Sequence, residues 1–461
     1  MLNTIKKKLH LEDTSSILIG LWITLPFIMV LCHTVQGIRG KFPTREEIEA
    51  AGLTFQYITL YYNRETYQLL FHVLGVISIL YVIYMCFSKD KGKLFKDEMF
   101  KNKRFLYYLF GLLIWSCVCA AFSDNLAYAF IGEDYLCDGL SSYFIYAAVF
   151  AIAYSITSDK DKLNLIRYFV FMVTVLSILM LIQTLHVIDF LDYIFTTRAA
   201  IIFLQFNHYG YVLCMAVCAS FGLFLFDENA SKKINIFYIV TFIINYVALV
   251  INDTFGAWLA VVIALPIIYI LSYKAGRRKL SIKAVIIVFV LMLGLSFLTS
   301  SSLKTSVSTF VNDVGNVTTE VTSDSSEAEA AAASAGSSRW TLWKDTIERI
   351  KERPIFGFGP EGFYGNNAIT NGDSTHNEYL QIAGFLGIPG LILYLTGIIM
   401  LLVHQFKNLT TLSSPILIAT CAMGGYLISA CFGNPVFNTF PYYMMFFGLA
   451  ASYEIKKQKK K

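Results

Sequence analysis

The sequence predicts an all-α protein that crosses a membrane about twelve times, and three observations carry that expectation. Apolar residues make up 56% of the 461, and the mean hydropathy is +0.58, beyond the usual composition of a soluble domain. Apolar runs of about 20 residues, long enough to cross a hydrocarbon core, recur from end to end. Lys and Arg gather in alternate connections between those runs, as cytoplasmic loops do.

Spans are expected at 16–36, 66–87, 105–122, 140–157, 166–185, 208–226, 235–252, 255–272, 283–299, 378–403, 414–432 and 436–453. Residues 1–299 hold the first nine, 300–377 form one long loop, and 378–461 hold the last three with a basic tail. Lys6–Lys8 precede a long first run with no small-residue cleavage pattern, so the first span reads as an anchor. Spans 7 and 8 read as a tight hairpin over Asn252, Asp253 and Thr254. With the N-terminus inside, most of the 37 basic residues fall on the cytoplasmic side. Both termini are therefore expected inside and the 300–377 loop outside. The nine cysteines lie mostly in apolar runs, with only Cys137 near a loop, which implies no disulfide framework. The net charge of +5 follows from topology and does not point to nucleic acid. No convincing internal repeat is visible, which weighs against a transporter.

Within the long loop, 315–337 is small, acidic and low in complexity, the composition of a flexible tether. Ser337 or Ser338 then offers a cap for an amphipathic helix over 338–353. Its Trp340, Trp343, Ile347 and Ile350 share one face, which suits a helix lying at the membrane interface. Pro354 stops that helix and a GFGPEG turn follows. A polar loop then brings His376, Asn377 and Glu378 to the mouth of the tenth span.

This order of parts resembles the signature of the O-antigen ligase and Wzy-type polymerase superfamily of bacterial polytopic membrane glycosyltransferases. The resemblance is carried by Arg339, Trp343, Pro354, Gly357, Gly359, His376, Asn377, Tyr379 and Leu380, then Gly384, Gly387 and Gly390. After Arg198, the run FLQFNHYGYVL resembles a family segment at the start of a span, with Asn207 and His208 as its polar members and the usual proline absent. VINDTFGAWLA at 250–260 resembles a segment that usually contains Ser-Arg-Gly, but Phe255 stands where the arginine is expected. A third segment, with Glu133, Asp134 and Asp138, resembles the family's glycine-rich tyrosine segment.

The resemblance implies a glycosyltransferase C-like fold in the bacterial cytoplasmic membrane, with an extracytoplasmic site. It implies transfer of an oligosaccharide from undecaprenyl diphosphate to a sugar hydroxyl of a glycan acceptor, with no cofactor and no metal. A polymerase is favoured, because nothing outside the membrane resembles a large acceptor-binding domain. A ligase with a different acceptor is the alternative. A polysaccharide transporter or flippase is the rival of another class; it would want ionisable residues at mid-span, which spans 8, 9 and 12 lack.

His376 has the chemistry of a general base for a sugar hydroxyl; the alternative is a histidine decorating a helix start. Arg198 suits bidentate diphosphate contact, or an interface anchor. Arg339 opposes the dipole of its own helix, which points to an external anion or to a side chain snorkelling to lipid phosphate. Asn377 and Glu378 would orient the ring or the acceptor, Glu378 being equally readable as a first-turn carboxylate. Gly357-Phe-Gly359-Pro-Glu-Gly362 formally matches GxGxxG with no strand before it, so it reads as a phosphate-approaching turn or a plain loop. Asp159-Lys-Asp161 formally matches a metal-binding DxD, but in a short cytoplasmic loop, and reads as a solvated face.

Overall fold

The computed structural model of the chain describes residues 13–38, 55–88, 105–132, 137–185, 201–203, 205–278, 280–323, 335–363 and 374–452. These residues form fifteen α-helices and no strand. In chain order they are α1 (Thr14–Ile38), α2 (Phe55–Phe87), α3 (Phe105–Ala121), α4 (Leu126–Ile131) and α5 (Leu140–Tyr154). Next come α6 (Asp159–Thr184), α7 (Phe206–Phe226), α8 (Lys232–Asn252), α9 (Phe255–Lys274) and α10 (Ile282–Thr299). The last five are α11 (Ser301–Ser323), α12 (Ala335–Glu352), α13 (Glu378–Lys407), α14 (Ser414–Ser429) and α15 (Phe440–Ala451).

Among the described residues, eight helices are long and apolar enough to cross a membrane: α1, α2, α6, α7, α8, α9, α13 and α14. The α10–α11 pair, bent by 102°, makes a ninth candidate, and α3, α5 and α15 are shorter apolar helices. Each expected span falls on one of these elements, so the all-α polytopic fold stands. The centre is α7, which is buried along nearly its whole length and packs against α8, α9 and α14. A helix apolar all round belongs in the core of a bundle. Below it, Arg167 donates to Asp227 and to Tyr238, both at 2.6 Å, which ties α6, the end of α7 and α8 together.

The element that shapes the other end is α13, because it breaks. Gly387 takes φ +68 and ψ 177, and Pro389 has no N–H to give. The break frees carbonyls of the preceding turn, and an unmet buried polar group costs about 1–3 kcal/mol. The segment after α12 meets them. Phe358 N–H donates to Gly384 O and Gly359 N–H to Phe385 O, both at 2.9 Å, while Ile388 N–H donates to Pro354 O at 2.8 Å. Trp115 Nε1 reaches Leu386 O at 2.8 Å. Phe356 is stacked between Trp115 and Phe122, with ring centroids at 5.4 and 4.5 Å.

Several expectations are corrected here. The tether expected from residue 315 is helical as far as Ser323, since Val307, Phe310, Val311 and Val314 recur at helical spacing and Phe310 packs on Phe255 at 5.5 Å. Residues 324–334 lie outside the described residues. The amphipathic helix begins at Ala335, so Ser337 and Ser338 stand inside it rather than capping it; alanine is the best helix former and extends the turn. Its buried residues are Leu342 and Thr346, with Trp340, Trp343 and Ile350 half-buried and Ile347 exposed. The Asp159-Lys-Asp161 motif is a solvated face only in part, with Asp159 and Lys160 exposed. Asp161 is buried and accepts from Ser16 Oγ at 3.0 Å, whereas Asp159 accepts from Lys162 Nζ at 3.3 Å and Ser413 Oγ at 3.1 Å.

Candidate active site

The mouth of α13 is held by short local bonds. Asn377 caps the helix, its side-chain oxygen accepting from the N–H groups of Tyr379 and Leu380, both at 3.1 Å. The Thr375 hydroxyl donates to Asn377 O at 2.7 Å and accepts from Asn377 N–H at 3.1 Å. Thr375 O accepts from Trp343 Nε1 of α12 at 3.0 Å. His376 sits inside this frame at φ +48, a left-handed conformation that costs a non-glycine residue about 1–2 kcal/mol. Residues held against their backbone preference by such neighbours recur at functional sites.

Around this mouth the structure gathers residues far apart in sequence. Arg339 of α12 lies within electrostatic reach of His376, and His376 within reach of His208 on the first turn of α7. Burial first, and the Arg339 charge second, pull the His376 imidazole from 6.5 down to about 4. The ring is therefore neutral near pH 7 and keeps a free lone pair. Arg339 is half-buried and forms no ion pair or hydrogen bond among the described residues. His208 is buried, with Nδ1 3.4 Å from Asn438 Nδ2; an amide N–H donating there leaves the imidazole proton on Nε2. Asn207 is half-buried beside it. Its α7 turn is fastened by Asn252 Nδ2, which donates to Phe206 O at 2.9 Å from the α8–α9 hairpin. That hairpin forms as expected over Asn252–Thr254, with Asp253 at φ +63. Phe255, where the resemblance expects arginine, lies among Trp258 and Phe310 at 6.2 and 5.5 Å. Arg198 lies outside the described residues.

Glu378 turns inward rather than toward the mouth. Its buried carboxylate accepts from Tyr394 OH at 2.5 Å and Tyr426 OH at 2.8 Å, and the Tyr394 and Tyr443 hydroxyls lie 3.2 Å apart. The carboxylate thus clamps α13 to α14 and α15. Gly357 and Gly359 are corrected as substrate ligands. Their N–H groups are taken by Arg353 O at 3.1 Å and Phe385 O at 2.9 Å, so neither is free for a phosphate. Gly357, at φ +64, lets the turn close on the α13 backbone where a Cβ would meet the Phe385 and Gly384 carbonyls.

Sequence reasoning missed the residues behind this front. Buried Glu361, at φ +49 in the glycine turn, accepts from the Asp138 N–H and stitches the turn to the start of α5. Burial, with the Glu361 charge second, lifts the Asp138 carboxyl well above the usual carboxylate range. Asp138 also lines a largely apolar cavity of about 490 Å³, bounded by α2, α3, α5, α13 and α15. Of the other acids expected nearby, Glu133 and Asp134 lie outside the described residues. Glu361 stood in the GFGPEG run as a signal, but Tyr394, Tyr426 and Asn438 had none, being isolated polar residues in apolar runs.

Residues 237–395 match the family model described as O-Antigen ligase. That stretch holds α8 through α12, the glycine turn, His376 and the first part of α13. No curated protein matches the chain. With its set of membrane-length apolar helices and this match, the chain is similar to the O-antigen ligase family over residues 237–395.

Proposed function

We propose that the protein is a polymerase that transfers an oligosaccharide from undecaprenyl diphosphate to a sugar hydroxyl of a second lipid-linked glycan. The observation that carries this reading is the His376 imidazole, kept neutral by burial, within electrostatic reach of an Arg339 guanidinium that is unpartnered among the described residues, at the mouth of α13. In the reaction the acceptor oxygen attacks the anomeric carbon of the donor sugar. His376 takes the acceptor's proton as the bond from that carbon to the diphosphate breaks, and the electron pair leaves on the diphosphate oxygen. Diphosphate is already a good leaving group, so positioning and cationic stabilisation supply most of what remains. Arg339, with Arg198 from the segment before α7, meets the departing charge as a guanidinium fork.

The electrostatics give this pair an order of events. In the resting protein the Arg339 charge weakens His376 as a base. A diphosphate docked on Arg339 offsets that charge, so the ring gains basicity when donor is present. The 300–377 loop would face outward and both termini inward, on the distribution of the 37 basic residues. A ligase reading, with an acceptor other than a lipid-linked repeat, uses the same chemistry and is favoured by the description of the matching family. Purified protein given only undecaprenyl-diphosphate repeat units distinguishes the two. A ladder of longer lipid-linked glycans supports the polymerase. No ladder, followed by transfer once a second acceptor is added, makes it a ligase, and no transfer with either acceptor removes the transferase reading.

A further inference from the structure

Most polar side chains at this end of the bundle have partners, and a small group does not. Gln381 of α13 is wholly buried, and neither its Oε1 nor its Nε2 is hydrogen-bonded among the described residues. Asn434 and Asn438, in the connection between α14 and α15, are buried, and the Oδ1 of each is equally unpartnered. Asp138 is buried with the Tyr146 hydroxyl beside it, but neither carboxylate oxygen reaches it in good hydrogen-bond geometry.

Each of these groups is linked to a residue of the site described above. Gln381 is three residues beyond Glu378, on the same helical face. Asp138 is within electrostatic reach of Glu378. Asn434 follows Gly433, which packs against the Tyr211 ring; Tyr211 is itself within reach of both Arg339 and Glu378. Asn438 uses its amide nitrogen on His208, the neighbour of His376. Each buried, unmet polar atom is destabilising, and an apolar side chain of the same shape would avoid that cost. Keeping three amides here is accounted for by a ligand that meets them.

The chemistry selects the ligand. An amide oxygen accepts, an amide nitrogen donates, and each sugar hydroxyl does both. Asp138 with Glu361 and Glu378 opposes an anion, so a phosphate belongs at Arg339 and not here. An alkyl chain would leave the amides as unmet as before. We propose that Gln381, Asn434 and Asn438, with Asp138, form a subsite for a neutral sugar ring of the acceptor, next to the His208–His376 pair. This inference rests on the transferase reading for which substrate the sugar belongs to.

The test uses leucine, which keeps the volume and removes the hydrogen-bonding atoms. Wild-type full-length protein and the variants Gln381→Leu and Asn434→Leu are titrated with the lipid-free oligosaccharide repeat, bound sugar being read by saturation-transfer NMR. Thermal unfolding and affinity for the lipid-diphosphate donor are measured on the same samples. Both variants should need at least ten times more oligosaccharide for half-saturation, with donor affinity unchanged and thermal midpoints equal to or above wild type. Gln381→Met, unbranched and also apolar, replaces the leucine variant if that one folds poorly. Wild-type affinity for the oligosaccharide in both leucine variants overturns the subsite, as does a wild-type protein that binds none. A wild type that binds the sugar but transfers nothing from the donor removes the transferase reading and leaves the subsite standing.

Discussion

The interaction between Arg339 and His376 can be tested by removing one charge. Arg339→Gln keeps a long polar side chain and deletes the cation. The His376 midpoint falls from 6.5 to about 4 under two influences, burial being the larger and Arg339 the smaller. Arg339 is the smaller of the two causes, so its loss should raise the midpoint while burial still holds it below 6.5. The measurement is the pH titration of the His376 ring by NMR, in protein labelled with ¹⁵N-histidine and assigned with His376→Ala. Stability carries the same signature. The unfolded chain binds more protons than the folded one between about 4 and 6.5, so this group's contribution is present above pH 6.5 and is lost as pH falls through about 4. In Arg339→Gln that window starts higher, and less stability should be lost on acidification. A midpoint that stays in place or moves down would refute the electrostatic link between α12 and the mouth of α13.

Two further outcomes follow from the site. Removing a general base typically costs about 10²–10⁴-fold in rate, so His376→Ala should bind donor as wild type does and transfer glycan at least about a hundredfold more slowly; more than a tenth of wild-type turnover would leave His376 without that role. Gly357→Ala should lower the thermal midpoint and abolish transfer, because the left-handed backbone costs alanine about 1–2 kcal/mol and the Cβ meets the Phe385 and Gly384 carbonyls; a wild-type midpoint would mean the turn does not hold the broken helix.

What the sequence determined by itself was local. The apolar runs located each span, because crossing a hydrocarbon core demands about 20 apolar residues in succession whatever lies beside them. Asn252–Thr254 marked the α8–α9 hairpin and Asn377 the start of α13, since turns and caps are built from side chains within a few residues. The α11 helix was hidden at its end by the small, acidic residues that follow it, although its valines kept helical spacing.

Tertiary structure alone decided which of these local features share a site and what each is used for. Gly357 and Gly359 signalled a turn that could approach a phosphate, yet their amides are consumed by neighbours and by a helix broken some thirty residues later. Gly387 and Pro389 announced that break without saying what would satisfy it. Glu378 had the position of an exposed first-turn carboxylate, and two tyrosines from further along the chain draw it inward. Arg339, His376 and His208 are separated by loops and whole helices, and no spacing rule brings them together. The reason is physical: propensity and hydropathy act over a few residues, whereas the partner of a buried polar group is set by whichever helix packs against it.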